Sequence, residues 1–568
     1  MYTIVFRPEG SRTETKLQAE AGENILQVAM RGGVEIDAPC SGNGLCGKCR
    51  LRLISGVVDV TKNPRLSEEE LEEGWRLACQ SSVAGDAIFL VPADASAFKS
   101  GIQTADLSTK QELETYEKAV EGIFAAGIAR GTAAQGIGLA VDIGTTTVTA
   151  ALLDLESGAI LAKASAGNGQ IRYGADVINR IIQSAKPGGR EKLRHAVREE
   201  TLLPIIRTLC DDAGVESTEI SRAVIAGNTT MEHLFAGVDA ESIRLEPYVP
   251  RFLSLRGETA AELHLETAAD FGLPLKPDAP VILAPNVGSY VGGDITAGAL
   301  TSMIWNTDDT TLFIDLGTNG ELVFGNRDFL LCCACSAGPA FEGGDISCGM
   351  RATKGAIESC AIDEETMEPT VEIVGGEVPP AGLCGSGLID TISELFRCGI
   401  INGKGKFIRE GERVRRNEYE ASYLLAPAQA SANGRDVVLT ETDIDNFIRA
   451  KAAIFSAIRA MLNSLDMTVD CITRVLVAGG IGSGIDIPKA ISIGMLPALD
   501  PSLYSYIGNS SLTGACAMLL SDEAENKVFE IADNMTYLEL SSHPGYMDEF
   551  VAACFLPHTD AHLFAAND

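Results

Sequence analysis

The chain has 568 residues, a hydrophobic fraction of 46% and a formal net charge of −33. This length predicts several folded domains, each with enough apolar material for its own core. The negative charge argues against binding to nucleic acid or to an anionic membrane surface, because both would repel the protein. The sequence holds no apolar run of about eighteen residues and no secretory signal pattern, so no membrane segment is expected.

Fifteen cysteines are present. So many thiols would risk incorrect disulfide pairing in an oxidising compartment, and a reducing, anoxic cytoplasm is therefore the expected location. Partners of so acidic a chain are expected to be proteins or small molecules.

Near the start of the chain, the segment "DAPCSGNGLCGKCR" contains Cys40, Cys46 and Cys49, and "RLACQ" adds Cys79. A plant-type [2Fe–2S] ferredoxin has four residues in the first gap of this pattern. The gap here has one more, as in the adrenodoxin-like branch of the same fold. Glycines in the loop let backbone N–H groups approach the cluster sulfides. Structural zinc is the alternative, but zinc cysteines usually form two short pairs. The four cysteines are thus the candidate ligands of a [2Fe–2S] cluster.

The flanking sequence predicts an antiparallel hairpin, a helix and two further strands, which together form a β-grasp, ferredoxin-like domain over residues 1–95. Residues 96–136 are rich in Ala and Glu and end in glycines. This composition predicts a helical linker that lets the first domain swing. A helix packed permanently on the next domain or on a second subunit is the alternative, and it leaves a homodimer open.

A strand–turn–strand pattern follows in "IGLAVDIGTTTVTAALLD" and recurs in "LFIDLGTNGELVFG". Glycine permits the tight turn, hydroxyl and backbone N–H groups can face a phosphate chain, and the aspartate can hold a hydrated magnesium ion. Two copies of the pattern indicate a duplicated fold. The candidate residues are Asp142, Gly144, Thr145 and Thr146 in the first copy, and Asp315, Gly317, Thr318, Asn319 and Gly320 in the second.

A third segment, "RVLVAGGIGSGIDIP", is a strand that ends at Gly479, Gly480, Ile481 and Gly482, where a nucleoside could lie against the backbone. The three segments together resemble the phosphate-one, phosphate-two and adenosine motifs of actin, sugar kinases and heat-shock chaperones. The resemblance implies two ribonuclease H-like lobes with ATP between them, Asp142 and Asp315 as catalytic groups near Mg²⁺, and Gly479–Gly482 at the adenosine.

The same resemblance implies the division of the remaining chain: a first lobe and middle region over 137–310, a second lobe over 311–520 and a C-terminal extension over 521–568. It also places "VIAGNTTMEHLFAG" and "GLCGSGLIDTISEL" where the superfamily has hinge helices that cross between the lobes. The expected fold class is therefore a mixed α+β and α/β multidomain protein.

A ferredoxin-like domain joined to an actin-like ATPase resembles the reductive activators of corrinoid-dependent methyltransferases. Segments typical of that family include "NGQIRYGADVINRI", "APNVGSYVGGDITAG" and "CSAGPAFEGGDISCGMRA". The resemblance implies ATP-dependent reduction of inactive Co(II) to Co(I) in a corrinoid methyl-carrier protein, with electrons from a low-potential ferredoxin or flavodoxin. Some members have a C-terminal [4Fe–4S] domain, whereas the end of this chain offers only Cys554 and indicates the single-cluster type.

Two other segments have competing interpretations. The glycine-rich loop, residues 336–349, follows the second turn; it is either a structural turn or a segment that senses nucleotide and meets the corrinoid partner. The neighbouring Cys332, Cys333, Cys335 and Cys348 are expected to be buried apolar residues and not a second metal site, because adjacent residues of a strand point to opposite sides. His233 is expected to pack against a helix.

Two other functional classes remain as alternatives. A small-molecule kinase with a redox-sensing ferredoxin domain would share the ATP cleft, but the sequence shows no general base for it. A pure electron-transfer module would share the cluster but leave the two lobes unexplained, and no GxGxxG flavin or dinucleotide motif follows a strand.

Overall fold

A computed structural model of the chain describes residues 1–11, 13–34, 36, 38, 42, 44, 47–63, 65–66, 68–92, 102–104, 110–254, 265–480 and 484–564. Within these ranges, no helix has the length and apolar character needed to cross a membrane.

The N-terminal domain is a five-stranded sheet in the order β2-β1-β5-β3-β4. Strands β1 and β5 are parallel, and their Phe6 and Phe89 rings stack in the core with centroids 5.8 Å apart. Asn24 caps the first helix by accepting from the Leu26 and Gln27 N–H groups. The elements are β1 (Tyr2–Pro8), β2 (Thr15–Ala19), α1 (Ile25–Arg31), β3 (Arg50–Val60), α2 (Glu68–Glu72), β4 (Trp75–Leu77) and β5 (Ser81–Val91). The predicted ferredoxin-like domain is confirmed.

The first lobe has a seven-stranded sheet in the order β11-β12-β10-β7-β8-β9-β6. Helices cover the face that buries Val141, Leu152 and Ile225. The elements are β6 (Gln103–Thr104), α3 (Lys110–Ala125), β7 (Ile137–Ile143), β8 (Thr147–Asp154), β9 (Ile160–Gly167), α4 (Val177–Ser184), α5 (Gly189–Val197), α6 (Leu203–Ala213), β10 (Ile220–Gly227), α7 (Thr229–Ala236), α8 (Glu241–Arg244), α9 (Arg251–Ser254), β11 (Leu265–Thr267), α10 (Ala268–Phe271), β12 (Pro280–Leu283) and α11 (Gly293–Ser302).

The second lobe has a six-stranded sheet in the order β23-β22-β13-β14-β15-β24, with two small three-stranded sheets beside it. Its elements are β13 (Thr311–Leu316), β14 (Gly320–Asn326), β15 (Phe329–Cys335), β16 (Ala356–Ile362), β17 (Pro369–Ile373), β18 (Gly382–Leu383), α12 (Gly385–Arg397), β19 (Val414–Arg416), β20 (Ala421–Ala426), β21 (Val437–Thr440), α13 (Glu441–Ser464), β22 (Arg474–Ala478), α14 (Ile487–Ser492), β23 (Tyr504–Tyr506), α15 (Ser510–Leu520), α16 (Asp522–Asn534), β24 (Met535–Tyr537) and α17 (Tyr546–Ala553).

The two large sheets repeat one arrangement. In the first, β7, β8 and β9 form an antiparallel meander and β10 is parallel to β7. In the second, β13, β14 and β15 form the same meander and β22 is parallel to β13. This repetition is the duplicated, ribonuclease H-like fold that the two strand–turn–strand patterns predict.

The helices between the two sheets are α11 and α15. Both contribute to one core with strand residues of the first lobe, such as Val224, and of the second, such as Phe313. A Cβ on Gly514 would lie 2.2 Å from the Ala297 carbonyl oxygen, so the two helices touch backbone to backbone. The sequence-based choice of hinge helices was wrong. Helix α7 belongs to the core of the first lobe and α12 to that of the second.

The linker and the C-terminal segment both pack on the lobes. Strand β6 pairs with β9, and helix α3 buries Val120 and Ile123 in the core between the lobes. Strand β24 extends the second sheet beside β15, and α17 packs along α13. Helix α3 is thus part of the body that the two lobes form, and the segment after residue 520 contributes β24 and α17 to the second lobe.

Arg222 on β10 fastens helix α16 to the first lobe. Its guanidinium is almost fully buried, lies 2.7 Å from Asp522 and also binds Glu525 and Thr132. Replacing Arg222 with methionine leaves these partners without a cation, so we expect the free energy of unfolding to fall by about 2–3 kcal/mol. Denaturant unfolding measures the change. Arg207→Met, at an exposed position on α6, is the control, and equal stability of both variants would contradict the assignment.

Candidate functional site

The two glycine turns are each closed by a hydrogen bond from the glycine N–H, and they meet between the lobes. In the first, the Gly144 N–H donates to the Thr147 carbonyl at 2.9 Å; in the second, the Gly317 N–H donates to the Asn319 carbonyl at 3.0 Å. The hydroxyl groups of Thr146 and Thr318 are 2.8 Å apart. The tips of the two turns are therefore in direct contact across the cleft.

Behind the turns, the two aspartates face the start of helix α15. Asp142 accepts hydrogen bonds from the Asn509 amide and the Ser511 hydroxyl, both at 2.9 Å. The Ser510 hydroxyl lies 3.4 Å from Asp315. One helix terminus thus positions a carboxyl group from each lobe. The sequence analysis missed this terminus, although Asn509 followed by two serines after Gly508 is a typical helix start.

Burial dominates the electrostatics of these carboxyl groups. It raises the pKa of Asp315 to about 7, with a further contribution from the negative charge of Asp142. Burial raises the pKa of Asp142 as well. Two acidic residues that the sequence analysis missed lie within electrostatic range: desolvation and the neighbouring carboxylates hold the pKa values of Asp294 and Glu321 far above their usual range. Asp294 lies in "GGDITAG" at the start of α11. The two glycines before it are the sequence signal that could have drawn attention to this aspartate.

Side chains of the first lobe hold its turn in place. The Asn168 amide donates to the Gly144 carbonyl and the Asn228 amide to the Thr145 hydroxyl, both at 2.9 Å. Arg180 is completely buried and its guanidinium donates to the Thr145 carbonyl at 2.5 Å. Three buried side chains of the first lobe therefore donate to the turn, and these hydrogen bonds hold it in place on that side.

The third glycine segment follows β22 directly. Gly479 has a φ of +98°, and a Cβ there would lie 2.2 Å from the Leu316 carbonyl oxygen, so only glycine fits. Gly480 has open space beside it. Ile481 and Gly482, which the sequence analysis also assigned to the nucleoside, lie outside the described residues. The described part of the segment therefore ends beside the second turn with an exposed backbone.

In the N-terminal domain, Cys49 and Cys79 are buried with their sulfur atoms 3.2 Å apart. Cys40 and Cys46 lie outside the described residues. A Cβ on Gly44 would come within 2.8 Å of the Asn63 and Gln80 side chains, so Gly44 packs closely on these two residues. Two thiols this close together, with a glycine where the neighbouring side chains leave no room for a Cβ, fit a [2Fe–2S] cluster.

Other cysteines lie in apolar surroundings. Cys332 faces the core between the lobes, whereas Cys333 and Cys335 face the core of the second lobe. Neighbouring thiols therefore point to opposite sides of β15. Among the described residues, no group of three or more His, Cys, Asp or Glu side chains is arranged to hold a metal ion. His233 is buried against Phe252, with ring centroids 4.3 Å apart.

The glycine-rich loop, residues 336–349, contacts the second turn, and Arg351 just beyond it contacts the first. The Thr318 hydroxyl donates to the Glu342 carboxylate at 2.8 Å, and Arg351 donates to the Thr146 carbonyl at 3.1 Å. On its other side the loop meets the N-terminal domain, where Lys48 donates to the Gly349 carbonyl at 2.8 Å. One short segment therefore connects the cleft to the cysteine loop.

Family models match three consecutive parts of the chain: a 2Fe-2S iron-sulfur cluster binding domain over residues 7–84, the RACo middle region over 137–307, and the C-terminal domain of RACo, described as the ASKHA domain, over 309–568. The chain is 33% identical to the corrinoid activation enzyme RamQ of Eubacterium limosum, over 73% of this chain and 69% of that protein. The chain belongs to the family of corrinoid activation enzymes.

Further similarities agree with this membership. The structure of a reductive activator for corrinoid, iron-sulfur protein shares 39% identity and covers 100% of both chains with a TM-score of 0.70. The [Co(II) methylated amine-specific corrinoid protein] reductase of Methanosarcina barkeri is 23% identical over 70% of this chain and 73% of that protein. The family is thus supported by sequence over most of the chain and by fold over all of it.

Replacing Cys49 with alanine removes one of two adjacent buried thiols, so we expect the purified protein to lose its visible iron–sulfur absorbance and most of its iron. ATP hydrolysis should persist, because the cleft is built from other domains. Iron analysis and absorbance measure the result. Cys210→Ala, in the first lobe, is the control and should stay brown. An unchanged spectrum of Cys49→Ala, or zinc in the wild type, would refute the cluster assignment.

The elevated pKa of Asp315 predicts opposite effects on stability and activity. In the ligand-free protein, the folded state favours protonated Asp315, so stability falls as pH rises from about 4 to 7. Asp315→Asn removes this cost and should raise the free energy of unfolding above pH 7, by up to about 4 kcal/mol. The same variant should lose magnesium-dependent ATP hydrolysis. Thermal unfolding at pH 6 and pH 8, together with phosphate release, tests both effects. The exposed Asp328→Asn is the control, and normal turnover in Asp315→Asn would contradict the assignment.

Proposed function

We propose that this protein is an ATP-dependent reductive activator that converts inactive Co(II) to Co(I) in a corrinoid carrier protein. The observation that carries the proposal is the presence, in one chain, of a ferredoxin-like cysteine site and of two threonine turns that meet over paired buried aspartates. Family membership supports the same conclusion.

The reaction balances as a one-electron reduction coupled to hydrolysis. Corrinoid Co(II) accepts one electron, a low-potential donor protein loses one, and water cleaves ATP to ADP and phosphate. A bound [2Fe–2S] cluster supplies a one-electron carrier at low potential, about −400 mV in plant-type ferredoxins. Each 100 mV of shortfall against cobalt costs about 2.3 kcal/mol per electron, so ATP must contribute through the lobes.

In the cleft, the residues of the two turns would line the ATP phosphates: Gly144, Thr145 and Thr146 from the first lobe, and Gly317, Thr318, Asn319 and Gly320 from the second. The threonine hydroxyls would donate to the phosphates, and the glycines would let the phosphates approach the backbone. Gly479 and Gly480, followed by Ile481 and Gly482, would lie along the nucleoside. Because the turns belong to different lobes, a phosphate chain between them would hold the lobes together until hydrolysis.

Asp142 and Asp315 would act as the catalytic carboxylates through Mg²⁺. Magnesium usually keeps several waters and binds one or two carboxylates together with substrate phosphates. Two aspartates therefore suffice without a third protein ligand. The cation would also offset the cost of burying these two carboxylates, which raises the pKa of both, and the negative charge of Asp142 that further raises the pKa of Asp315.

Further proposals concern partners and location. Cys40, Cys46, Cys49 and Cys79 would ligate the cluster, and a small ferredoxin or flavodoxin would reduce it. A cytoplasmic, anoxic location also belongs to this proposal and rests on the free thiols; a homodimer belongs to it as the alternative that the linker sequence leaves open.

The proposed function is tested by mixing the protein with a Co(II) corrinoid carrier, Mg²⁺, ATP and a strong chemical reductant without oxygen. We expect the Co(I) absorbance to appear with ATP and to be at least about a hundredfold slower without it, as for loss of a major electrostatic contribution. Cys49→Ala and Asp315→Asn should each abolish it, whereas Cys210→Ala should not. Steady phosphate transfer to a metabolite, without Co(I), would instead support a kinase.

A further inference from the structure

Basic and aromatic residues of the N-terminal domain dock it on the second lobe. Lys48, which lies between the cluster cysteines Cys46 and Cys49, donates to the carbonyl oxygens of Gly343 and Gly349. Arg65 contacts Asp443, and Trp75 lies under the guanidinium of Arg435 at 4.8 Å. Lys48, Arg65 and Trp75 are here called the docking face.

Asp443 connects this docking face to the glycine-rich loop. The carboxylate lies 3.2 Å from the Arg65 guanidinium, and the arginine also donates to Thr440 at 3.1 Å. On its other side Asp443 accepts from the Ser347 N–H at 2.9 Å and from its hydroxyl at 2.6 Å. Arg65 and Asp443 are both almost fully buried, so this ion pair exists only while the two domains are in contact.

The same loop also contacts the cleft at Glu342, the residue immediately before Gly343. Thr318 donates its single hydroxyl proton to Glu342. In the hydrogen bond between the two threonine hydroxyls, Thr146 is therefore the donor and Thr318 the acceptor. A phosphate that accepts the hydrogen bond from the Thr318 hydroxyl breaks the hydrogen bond between Thr318 and Glu342. It also places negative charge against that carboxylate, and the two anions repel each other.

We propose that the docking face is a latch that the nucleotide controls: without ATP, Lys48 and Arg65 hold the ferredoxin-like domain on the second lobe, and phosphate binding at Thr318 displaces Glu342 and releases it. The latch rests on the proposed function only in requiring ATP in the cleft. Release frees the loop around Cys49, together with Lys48, for a protein partner that offers carbonyl or carboxylate oxygens in place of Gly343 and Gly349.

Side chains of the docking face are better test positions than the glycines of the loop. A Cβ on Gly343 would lie 2.4 Å from the Met350 nitrogen, and one on Gly344 would lie 2.4 Å from Pro339. Bulky residues there would distort the loop itself. Lys48 and Arg65 contact the second lobe through the charged ends of their side chains. Replacing them removes these contacts and brings no larger group into the interface.

The direct test uses the wild-type protein with its cluster and no corrinoid protein, so its result does not depend on whether the protein reduces a corrinoid. An amine-reactive acylating reagent labels lysines, and mass spectrometry gives the rate at each one. Lys48 should react slowly without nucleotide and about tenfold faster or more with a nonhydrolysable ATP analogue and Mg²⁺, as expected for loss of hydrogen bonds to a charged group. Lys16, which is exposed in the same domain, should not change. An unchanged rate at Lys48 with bound analogue would overturn the proposal.

Two variants test the two ends of the latch. Arg65→Met should increase the radius of gyration in solution scattering without nucleotide, whereas Lys16→Met should not; a compact Arg65→Met protein would contradict the latch. Glu342→Ala should still bind the analogue but lose the nucleotide-dependent change in Lys48 labelling. Glu358→Ala, exposed on β16 of the same lobe, should retain it. A normal response in Glu342→Ala would exclude Glu342 as the connection.

Discussion

Two buried carboxyl groups of like charge, one from each lobe, are the constraint on which the rest of this structure depends. Asp142 and Asp315 occupy equivalent strand ends in duplicated sheets; burial raises the pKa of both, and the charge of Asp142 adds to the cost of ionising Asp315. Neither lobe can neutralise them alone. The hydroxyl and amide groups of Asn509, Ser510 and Ser511 supply only partial compensation, and in the proposed function a cation bound with phosphate would supply the remainder. The negative charge of the cleft is consequently not fully compensated by the protein's own groups.

Rigid and adaptable contacts are divided unevenly around this cleft. On the first lobe, Asn168, Asn228 and the buried Arg180 fix the turn through fully formed hydrogen bonds. On the second lobe, the turn binds Glu342, which belongs to a loop and can move without unfolding a strand. A change in ligand is therefore transmitted through the second lobe, toward the ferredoxin-like domain.

The sequence predicted those features that depend on local chemistry. Alternating apolar residues, a glycine that permits a tight turn and closely spaced cysteines each specify their structure within a few residues, so the ferredoxin-like domain and both turns could be recognised. The crossing helices could not. Neither α7 nor α11 carries a local sequence signal for its place in the fold, and the backbone contact between Gly514 and Ala297, far apart in sequence, decides which helix lies between the sheets. Asp294, Glu321 and the Arg65–Asp443 pair depend on the same kind of long-range packing.

A single proton explains how a redox domain and an ATPase can be coupled without a rigid connection. The Thr318 hydroxyl can donate to Glu342 or to a phosphate, but not to both at once. If the loop that holds Lys48 keeps its position only with the first arrangement, nucleotide binding and domain docking exclude each other. The electron donor site then becomes accessible only while ATP occupies the cleft, and hydrolysis followed by phosphate release restores the docked state. Coupling of this kind needs no change in the cluster itself. ATP instead changes which protein surface the ferredoxin-like domain can contact.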